Sequence, residues 1–299
     1  MRILLITVLL CATACSGSDA RRELPFQRRV ADRVATVPGA VAGVYLKNLG
    51  DSAEWVFNAD SVFHAASTMK VPVMIEYFRQ VDEGTLTADQ QVRLQNRFTS
   101  IVDGSRYALN PGDDSDSALY ARAGTDVPLR DLVEHMITRS SNLATNAVIE
   151  LVDANRAQAT ARSLGASTIM VRRGVEDAKA FEQGLNNTTT ARDLGALLES
   201  IVGEKAASPD ACRQMLAILE GQEFNDEIPA GLPPGTRIAH KTGEITGVLH
   251  DAAIVFPPEG RPPFVLVVLT RNIADQGQAR ALIQDVARFA WEELVANPN

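Results

Sequence analysis

Three short polar motifs lie far apart along this chain, and any fold that uses them together must bring distant segments into contact. They are Ser67-Thr-Met-Lys70, Ser140-Ser-Asn142 and Lys241-Thr-Gly243, separated by roughly 70 and 100 residues. Each motif alone is common, but serines, lysines and an amide in this order are the groups that a nucleophilic site requires. We therefore expect the three segments to meet.

Ser67 and Lys70 stand at the i, i+3 spacing, which places two side chains on one face of a helix. If Ser67 opens that helix, Pro72 falls in its first turn, where a missing N–H group costs nothing. Burial beside other cations lowers the proton affinity of a lysine, so Lys70 can activate Ser67 as a base. Free N–H groups at the helix start can bind an oxyanion. The alternative is a serine cap followed by an exposed lysine.

Predicted strands lie towards both ends of the chain, and predicted helices fill its middle. Residues 41–49 and 54–58 form a predicted hairpin, helical patterns dominate 67–222, and strands return after 235 before a long final helix. The order predicts an α/β fold, an antiparallel sheet with flanking helices, interrupted by an inserted all-α domain. We assign residues 25–66 and 223–299 to the discontinuous α/β domain and 67–222 to the all-α domain. A cleft between them is the expected site.

Composition excludes two classes of function. A net charge of −8 and a sequence pI near 5.1 argue against nucleic acid as a partner. No pair of histidines has metal-ligand spacing, which argues against a zinc enzyme. We expect no metal or organic cofactor. The histidines are His64, His135, His240 and His250.

The first 15 residues predict an export signal, because one arginine precedes a short apolar run and then small residues. The ending Ala12-Thr-Ala-Cys15 resembles a bacterial lipoprotein signal, which makes Cys15 the predicted lipidated residue and 16–24 a polar tether. The alternative is an ordinary cleaved signal. Either way we expect a periplasmic or cell-envelope protein, and a lipid on Cys15 would be its only contact with the membrane. Cys212 is predicted to be a small core residue.

From about residue 38 to 296 the chain resembles the class A β-lactamases and their serine hydrolase relatives. The similarity extends beyond the motifs to residues 63–72, 129–142 and 240–243. It implies a β-lactamase/transpeptidase-like fold and an acyl-enzyme mechanism.

The resemblance also implies a role for each motif residue. For the reaction it implies Ser67 as nucleophile, Lys70 as its base, Ser140 as proton donor to the leaving nitrogen, and Lys241 as a positive charge beside Ser140. For substrate binding it implies Asn142 towards the amide side chain, and Thr242, with Gly243, towards the carboxylate.

The resemblance implies that Glu176, in the segment after the second motif, is the base for deacylation. A carboxylate near a lysine and a serine can hold and deprotonate water. Four residues later, Ala180 stands where the family usually has a water-binding asparagine, and Asn186 or Asn187 is the possible substitute. The alternative for Glu176 is an exposed loop charge.

Two further departures concern the substrate side of the cleft. Ser141 occupies a position where the family usually has aspartate, a change expected to affect packing beneath the site. No arginine follows the third motif closely; His250 is the candidate anion ligand there, and Arg271 and Arg280 are the alternatives. Candidates for a ring at the cleft mouth are Tyr107 and Tyr120.

The leading hypothesis is a monomeric, exported class A-like serine β-lactamase that acts on a β-lactam or related acyl substrate. One alternative is an envelope amidase, esterase or peptidase of the same fold. Another is a penicillin-binding sensor that is acylated but does not turn over, and the competence of Glu176 distinguishes it from a hydrolase.

Overall fold

The computed structural model describes residues 25–258 and 260–296. Its centre is a five-stranded antiparallel sheet. The register places Val41 opposite Arg271, so segments from both ends of the chain share one sheet, as predicted. The strands are β1 (Val41–Asn48), β2 (Glu54–Phe57), β9 (Arg237–Ile245), β10 (Val248–Phe256) and β11 (Phe264–Arg271). Their order across the sheet is β2-β1-β11-β10-β9.

Successive side chains of β11 enter two different cores because strand residues alternate between faces. Leu266 and Val268 pack beneath α1 (Phe26–Ala35) and α9 (Gln276–Trp291). Val267 and Leu269 face the opposite core, which the middle of the chain supplies. Burial on both faces explains why β11 is a continuous apolar run.

The middle of the chain contains the helices that surround α2. Helix α2 is buried on nearly every side and contacts α3, α4, α5 and α8, while α7 packs on the sheet at β1 and β11. Their bounds are α2 (Lys70–Asp82), α3 (Leu129–Thr138), α4 (Asn142–Val152), α5 (Ala154–Ser163), α6 (Ala178–Glu182), α7 (Ala191–Val202) and α8 (Pro209–Glu220).

Short strands also occur in and beside the segment predicted to be all-α, residues 67–222, whose main elements are helices. These pairs involve two or three residues per strand, too few to give a periodicity in the sequence. The proposed domain boundaries remain predictions. The pairs are β3 (Phe63–His64) with β8 (Thr188–Thr189), β4 (Gln91–Arg93) with β7 (Asp126–Pro128), and β5 (Phe98–Thr99) with β6 (Arg106–Tyr107).

Two sequence predictions concern the membrane and the cysteines. Cys15 and the tether lie outside the described residues. Across the described ranges, no helix is long and apolar enough to cross a membrane. Cys212 is fully buried in the core, as predicted.

Candidate active site

Ser67 lies in a short 3-10 turn, Ala66–Met69, and the α-helix begins only at Lys70. Ser67 thus precedes the α-helix that it was expected to open, since tight 3-10 turns are frequent at helix starts. Ala66 has a φ of 45°, in the left-handed region that a Cβ atom disfavours. Such strained residues cluster at functional sites, and this one immediately precedes the candidate nucleophile.

Strand β9 passes close to this turn at Gly243. A Cβ atom there would lie 3.1 Å from Thr68 Cγ2 and 3.2 Å from both Ser67 N and Thr68 N. The glycine therefore lets the third motif approach the backbone of the first. Two motifs more than 170 residues apart in sequence thereby line one cleft.

Two lysines converge on the hydroxyl of Ser140. Lys70 Nζ donates to Ser140 Oγ at 3.1 Å, and Lys241 Nζ donates to the same oxygen at 3.0 Å. Lys70 Nζ also donates to the Ser140 carbonyl at 2.5 Å and to Asn142 Oδ1 at 3.1 Å. The hydroxyl of Ser140 is thus placed to pass protons between the two amines.

Both lysines are fully buried, and burial is the main cause of their altered proton affinity. Burial and the nearby Lys241 hold the pKa of Lys70 well below its usual range. Burial lowers the pKa of Lys241 to about 7, although Asp251 and Glu227 oppose the shift. An amine with a depressed pKa can exist in its basic form near neutral pH, which a general base requires.

The loop that carries Glu176 is fastened by Asn146, a residue that the sequence analysis missed. Asn146 Oδ1 accepts from Val175 N at 2.6 Å, and its Nδ2 donates to the Val175 carbonyl at 3.0 Å. A Cβ atom on Gly174 would lie 2.2 Å from Asn146 Oδ1, so only glycine fits beside this clamp. No sequence motif marked Asn146, whose role depends on a contact 29 residues away.

Glu176 is the carboxylate that this clamp presents to the cleft. Asn142 Nδ2 donates to Glu176 Oε1 at 2.7 Å, and Glu176 itself adopts a left-handed φ of 60°. Glu176 is exposed at the cleft surface, yet desolvation of its carboxyl group still raises the pKa of that group. The structure thus brings Glu176 to the same amide that binds Lys70.

Both proposed substitutes for the missing asparagine make hydrogen bonds within the loop. Asn187 Oδ1 accepts from the backbone N–H of Arg172 at 2.8 Å, and Asn186 Oδ1 accepts from the Arg173 guanidinium at 3.1 Å. Both amides therefore hold the loop itself. Ala180 is fully buried in α6.

His250 does not line the cleft, so the prediction that it binds substrate is wrong. Its ring is fully buried, with Nε2 2.8 Å from the His64 carbonyl and an edge-on contact to Phe63. Burial lowers the pKa of His250 to about 4, which leaves the ring uncharged at neutral pH. His250 lies opposite Gly243 in the sheet register, where the Ser67 segment covers it.

The alternatives for a substrate-binding cation are separated by their positions. Arg271 donates to the Val62 carbonyl and lies over the ring of Phe63, away from the cleft. Arg280 lines the cleft, where its Nε donates to Glu227 Oε1 at 3.2 Å.

Neither predicted tyrosine forms the cleft mouth. The hydroxyl of Tyr107 donates to the Val175 carbonyl, and that of Tyr120 to a buried carboxylate. The exposed rings at the cleft belong to Phe181 and Phe224.

The cleft has two lobes that share Ser67, Asn142 and the segment 244–246. The acidic lobe, about 550 Å³, contains Thr242 and Arg280 together with the carboxylates of Asp113, Asp226, Glu227 and Glu244. The apolar lobe, about 490 Å³, lies along the Glu176 loop and includes Val175, Ala178, Phe181 and Ile245. A substrate that spans Ser67 would place one half in each lobe. Over the described residues, no group of three or more acidic, histidine or cysteine side chains could hold a metal ion.

Comparisons with known proteins agree with this arrangement. Residues 25–294 match the beta-lactamase enzyme family. A β-lactamase of Streptomyces albus G is 28% identical over 285 residues, covering 93% of this chain and 86% of that protein. The crystal structure of a β-lactamase from Sphaerobacter thermophilus DSM 20745 is 27% identical with a TM-score of 0.77, covering 91% and 97% of the two chains.

A second solved structure carries a bound antibiotic. It is a mutant of PBP-A as an acyl-enzyme complex with penicillin G, 27% identical with a TM-score of 0.75. The alignment covers 89% of this chain and 95% of that one.

Proposed function

Because the chain belongs to the beta-lactamase enzyme family, we propose that it is a serine β-lactamase that hydrolyses β-lactams through an acyl-enzyme on Ser67. The observation that carries the proposal is the convergence of Lys70, Ser140 and Lys241 beside the Ser67 turn, with Glu176 held on the same amide as Lys70. This set contains a nucleophile, a proton relay and a carboxylate base, the groups that acylation and hydrolysis require.

Acylation uses the lysine network. Ser67 Oγ attacks the β-lactam carbonyl carbon while neutral Lys70 takes the hydroxyl proton. When the C–N bond breaks, the Ser140 hydroxyl gives its proton to the leaving nitrogen and is reprotonated by the protonated Lys70. Both hydrogen bonds to Ser140 Oγ already exist in the free protein, so the relay needs little rearrangement.

Deacylation uses Glu176. The carboxylate takes a proton from a water molecule, and the resulting nucleophile attacks the ester carbon. The bond from that carbon to Ser67 Oγ then breaks, and the proton held by Glu176 is returned to the serine oxygen. Desolvation raises the pKa of Glu176 and so increases its basicity towards water.

Arg280 is our candidate for the substrate carboxylate. It lies in the acidic lobe with Thr242, about one-third of its side chain is exposed, and Glu227 orients its guanidinium. Arginine binds carboxylates with two parallel hydrogen bonds, which suits this task.

One observation favours the alternative of a slowly hydrolysing penicillin-binding protein. Ala180 provides no amide beside Glu176, and both nearby asparagines are engaged within the loop. A poorly held water would leave the acyl-enzyme long-lived, and an acyl-enzyme with penicillin G is the state seen in the mutant PBP-A complex.

A single experiment separates these functions. Purified protein is mixed with benzylpenicillin or a chromogenic cephalosporin, and ring opening and intact mass are followed together, with Ser67→Ala as control. Many turnovers support a β-lactamase, whereas a stoichiometric mass gain without turnover supports the sensor. Neither ring opening nor a mass gain with either compound would refute both and favour another envelope acyl substrate. Turnover by Ser67→Ala would refute the assignment of Ser67.

We also propose that the protein acts as a monomer at the cell envelope, anchored through Cys15. Metabolic labelling with a lipid precursor tests the anchor. Label on the wild-type chain but not on Cys15→Ser is expected, and an unlabelled wild-type chain would contradict it.

A further inference from the structure

Asp114 is a buried carboxylate beside the second motif that takes no part in the mechanism above. It is 7% exposed and stands 28 residues before Asn142 in the sequence. One of its oxygens accepts three hydrogen bonds: from Asn142 N at 3.0 Å, Leu143 N at 2.9 Å and the Tyr120 hydroxyl at 2.9 Å. Its other oxygen accepts from Asp116 N at 3.0 Å.

These contacts fix the start of α4, which is the second motif. Asn142 and Leu143 are the first two residues of the helix, and their N–H groups have no partner within it. Ser141 Oγ caps only the third N–H group of the helix, accepting from Ala144 N at 3.2 Å. A carboxylate is also favoured at this end of a helix by the helix dipole.

The segment that Asp114 fixes carries the three acceptors of the Lys70 side-chain amine. The Ser140 carbonyl, the Ser140 hydroxyl and the Asn142 amide all accept from Lys70 Nζ. Ser140 itself has a left-handed φ of 55°, a conformation that needs support from its surroundings. Movement of the first turn of α4 would therefore move the acceptors of Lys70 and the amide that holds Glu176.

We infer that Asp114 is a positioning residue for both steps of the reaction, supplying from a distant loop the carboxylate that orients Ser140 and Asn142. The inference rests on the proposed acyl-enzyme function. Ser141 supplies no carboxylate to this turn, and Asp114 supplies one from outside the motif.

The charge of Asp114 also acts on the two bases. The buried ammonium of Lys70 faces Lys241, Asp114 and Glu176, and the two carboxylates raise its pKa against burial and Lys241. Asp114 and Asp113 likewise raise the pKa of Glu176. Loss of the Asp114 charge lowers the pKa of both bases, so each would keep its basic form at lower pH.

The test is a double-mutant cycle between Asp114→Ala and Ser141→Asp. A carboxylate at the capping position can accept from the second and third N–H groups of the helix, and one of those is a present partner of Asp114. We expect Asp114→Ala to slow acylation by benzylpenicillin by about a hundredfold, the effect of misplacing reacting groups by about 1 Å. Ser141→Asp alone should also slow acylation, since it places two carboxylates side by side, yet in the Asp114→Ala background it should restore at least tenfold.

Asp114→Asn separates charge from shape. It keeps an acceptor oxygen, so it should acylate faster than Asp114→Ala, with the acidic limb of its pH–rate profile moved to lower pH. Asp126→Asn, an exposed carboxylate on β7, is the matched control and should leave rate and profile unchanged. A purely structural role would lower the melting temperature without moving the limb.

Labelling of Ser67 by a fluorophosphonate, which needs an activated serine but no β-lactam, repeats the comparison independently of the proposed substrate. Failure of the wild type with penicillin but not with the fluorophosphonate would refute the function and leave the inference testable. Asp114→Ala within threefold of wild type, an unmoved acidic limb in Asp114→Asn, or no rescue by Ser141→Asp would each overturn the inference.

Discussion

Replacing Glu176 by glutamine tests the deacylation step with the least change in shape. Glutamine keeps an oxygen that can accept from Asn142 Nδ2, a bond of 2.7 Å in the wild type, so the amide that also binds Lys70 stays in place. Only the proton-accepting ability is lost. A positioned general base contributes about 10²–10⁴-fold, equivalent to roughly 3–5 kcal/mol of barrier.

We therefore expect Glu176→Gln to acylate at nearly the wild-type rate and to deacylate about 10²–10⁴ times more slowly. Glu176→Ala should impair both steps, because it also leaves Asn142 Nδ2 without its acceptor, at a cost of about 1 kcal/mol or fivefold. Stopped-flow measurement of the burst, with intact mass to detect the adduct, separates the two rates.

The matched control is Glu182→Gln, an exposed carboxylate on α6 of the same loop. It should turn over like the wild type. Steady turnover by Glu176→Gln at the wild-type rate, without a persistent adduct, would refute the assignment and require another base for the water.

Three further predictions concern the cleft walls. Gly243→Ala should slow acylation several-fold with little change in melting temperature, because its Cβ meets the Ser67 turn at 3.1–3.2 Å; equal rates would show that the turn yields freely. Arg280→Ala should raise KM for penicillins at least tenfold, because it removes a charge-assisted contact to the substrate carboxylate. Arg271→Ala should leave KM unchanged, because the Arg271 guanidinium lies outside the cleft. Equal KM values for the two variants would exclude Arg280. Burial raises the pKa of Glu227 to about 7, above its unfolded value. The contribution of Glu227 to the free energy of unfolding is therefore largest below pH 4 and falls by about 3 kcal/mol as the pH rises to 8. Urea titrations should show that the stability of Glu227→Gln depends less on pH than that of the wild type, and parallel curves would contradict this.

The sequence predicted the residues whose roles depend on local spacing. Ser67 and Lys70 are one turn apart, and Ser140 and Asn142 flank a helix start, so their types and spacing were informative without a structure. Lys241 joined them through the resemblance, and the structure brings its amine to Ser140.

Residues whose roles depend on tertiary contacts could not be predicted in this way. The strand pattern of His250 does not reveal that the Ser67 segment covers it, so anion binding was expected where the ring is fully buried. Arg280 could not be preferred over Arg271 without knowing that α9 places its guanidinium beside Glu227 in the cleft. Asp114 and Asn146 bind backbone groups 28 and 29 residues away, and a sequence contains no local signal for such bonds.

Asn142 couples the two halves of the proposed reaction. Its oxygen accepts from Lys70, the acylation base, and its nitrogen donates to Glu176, the deacylation base. A primary amide has two N–H groups, so one remains for a substrate carbonyl while the other holds Glu176. Substrate can therefore bind without releasing either base, provided that the first turn of α4 stays in place. The same amide makes each base sensitive to displacement of the other, which is why a single anchoring carboxylate at Asp114 would act on both steps.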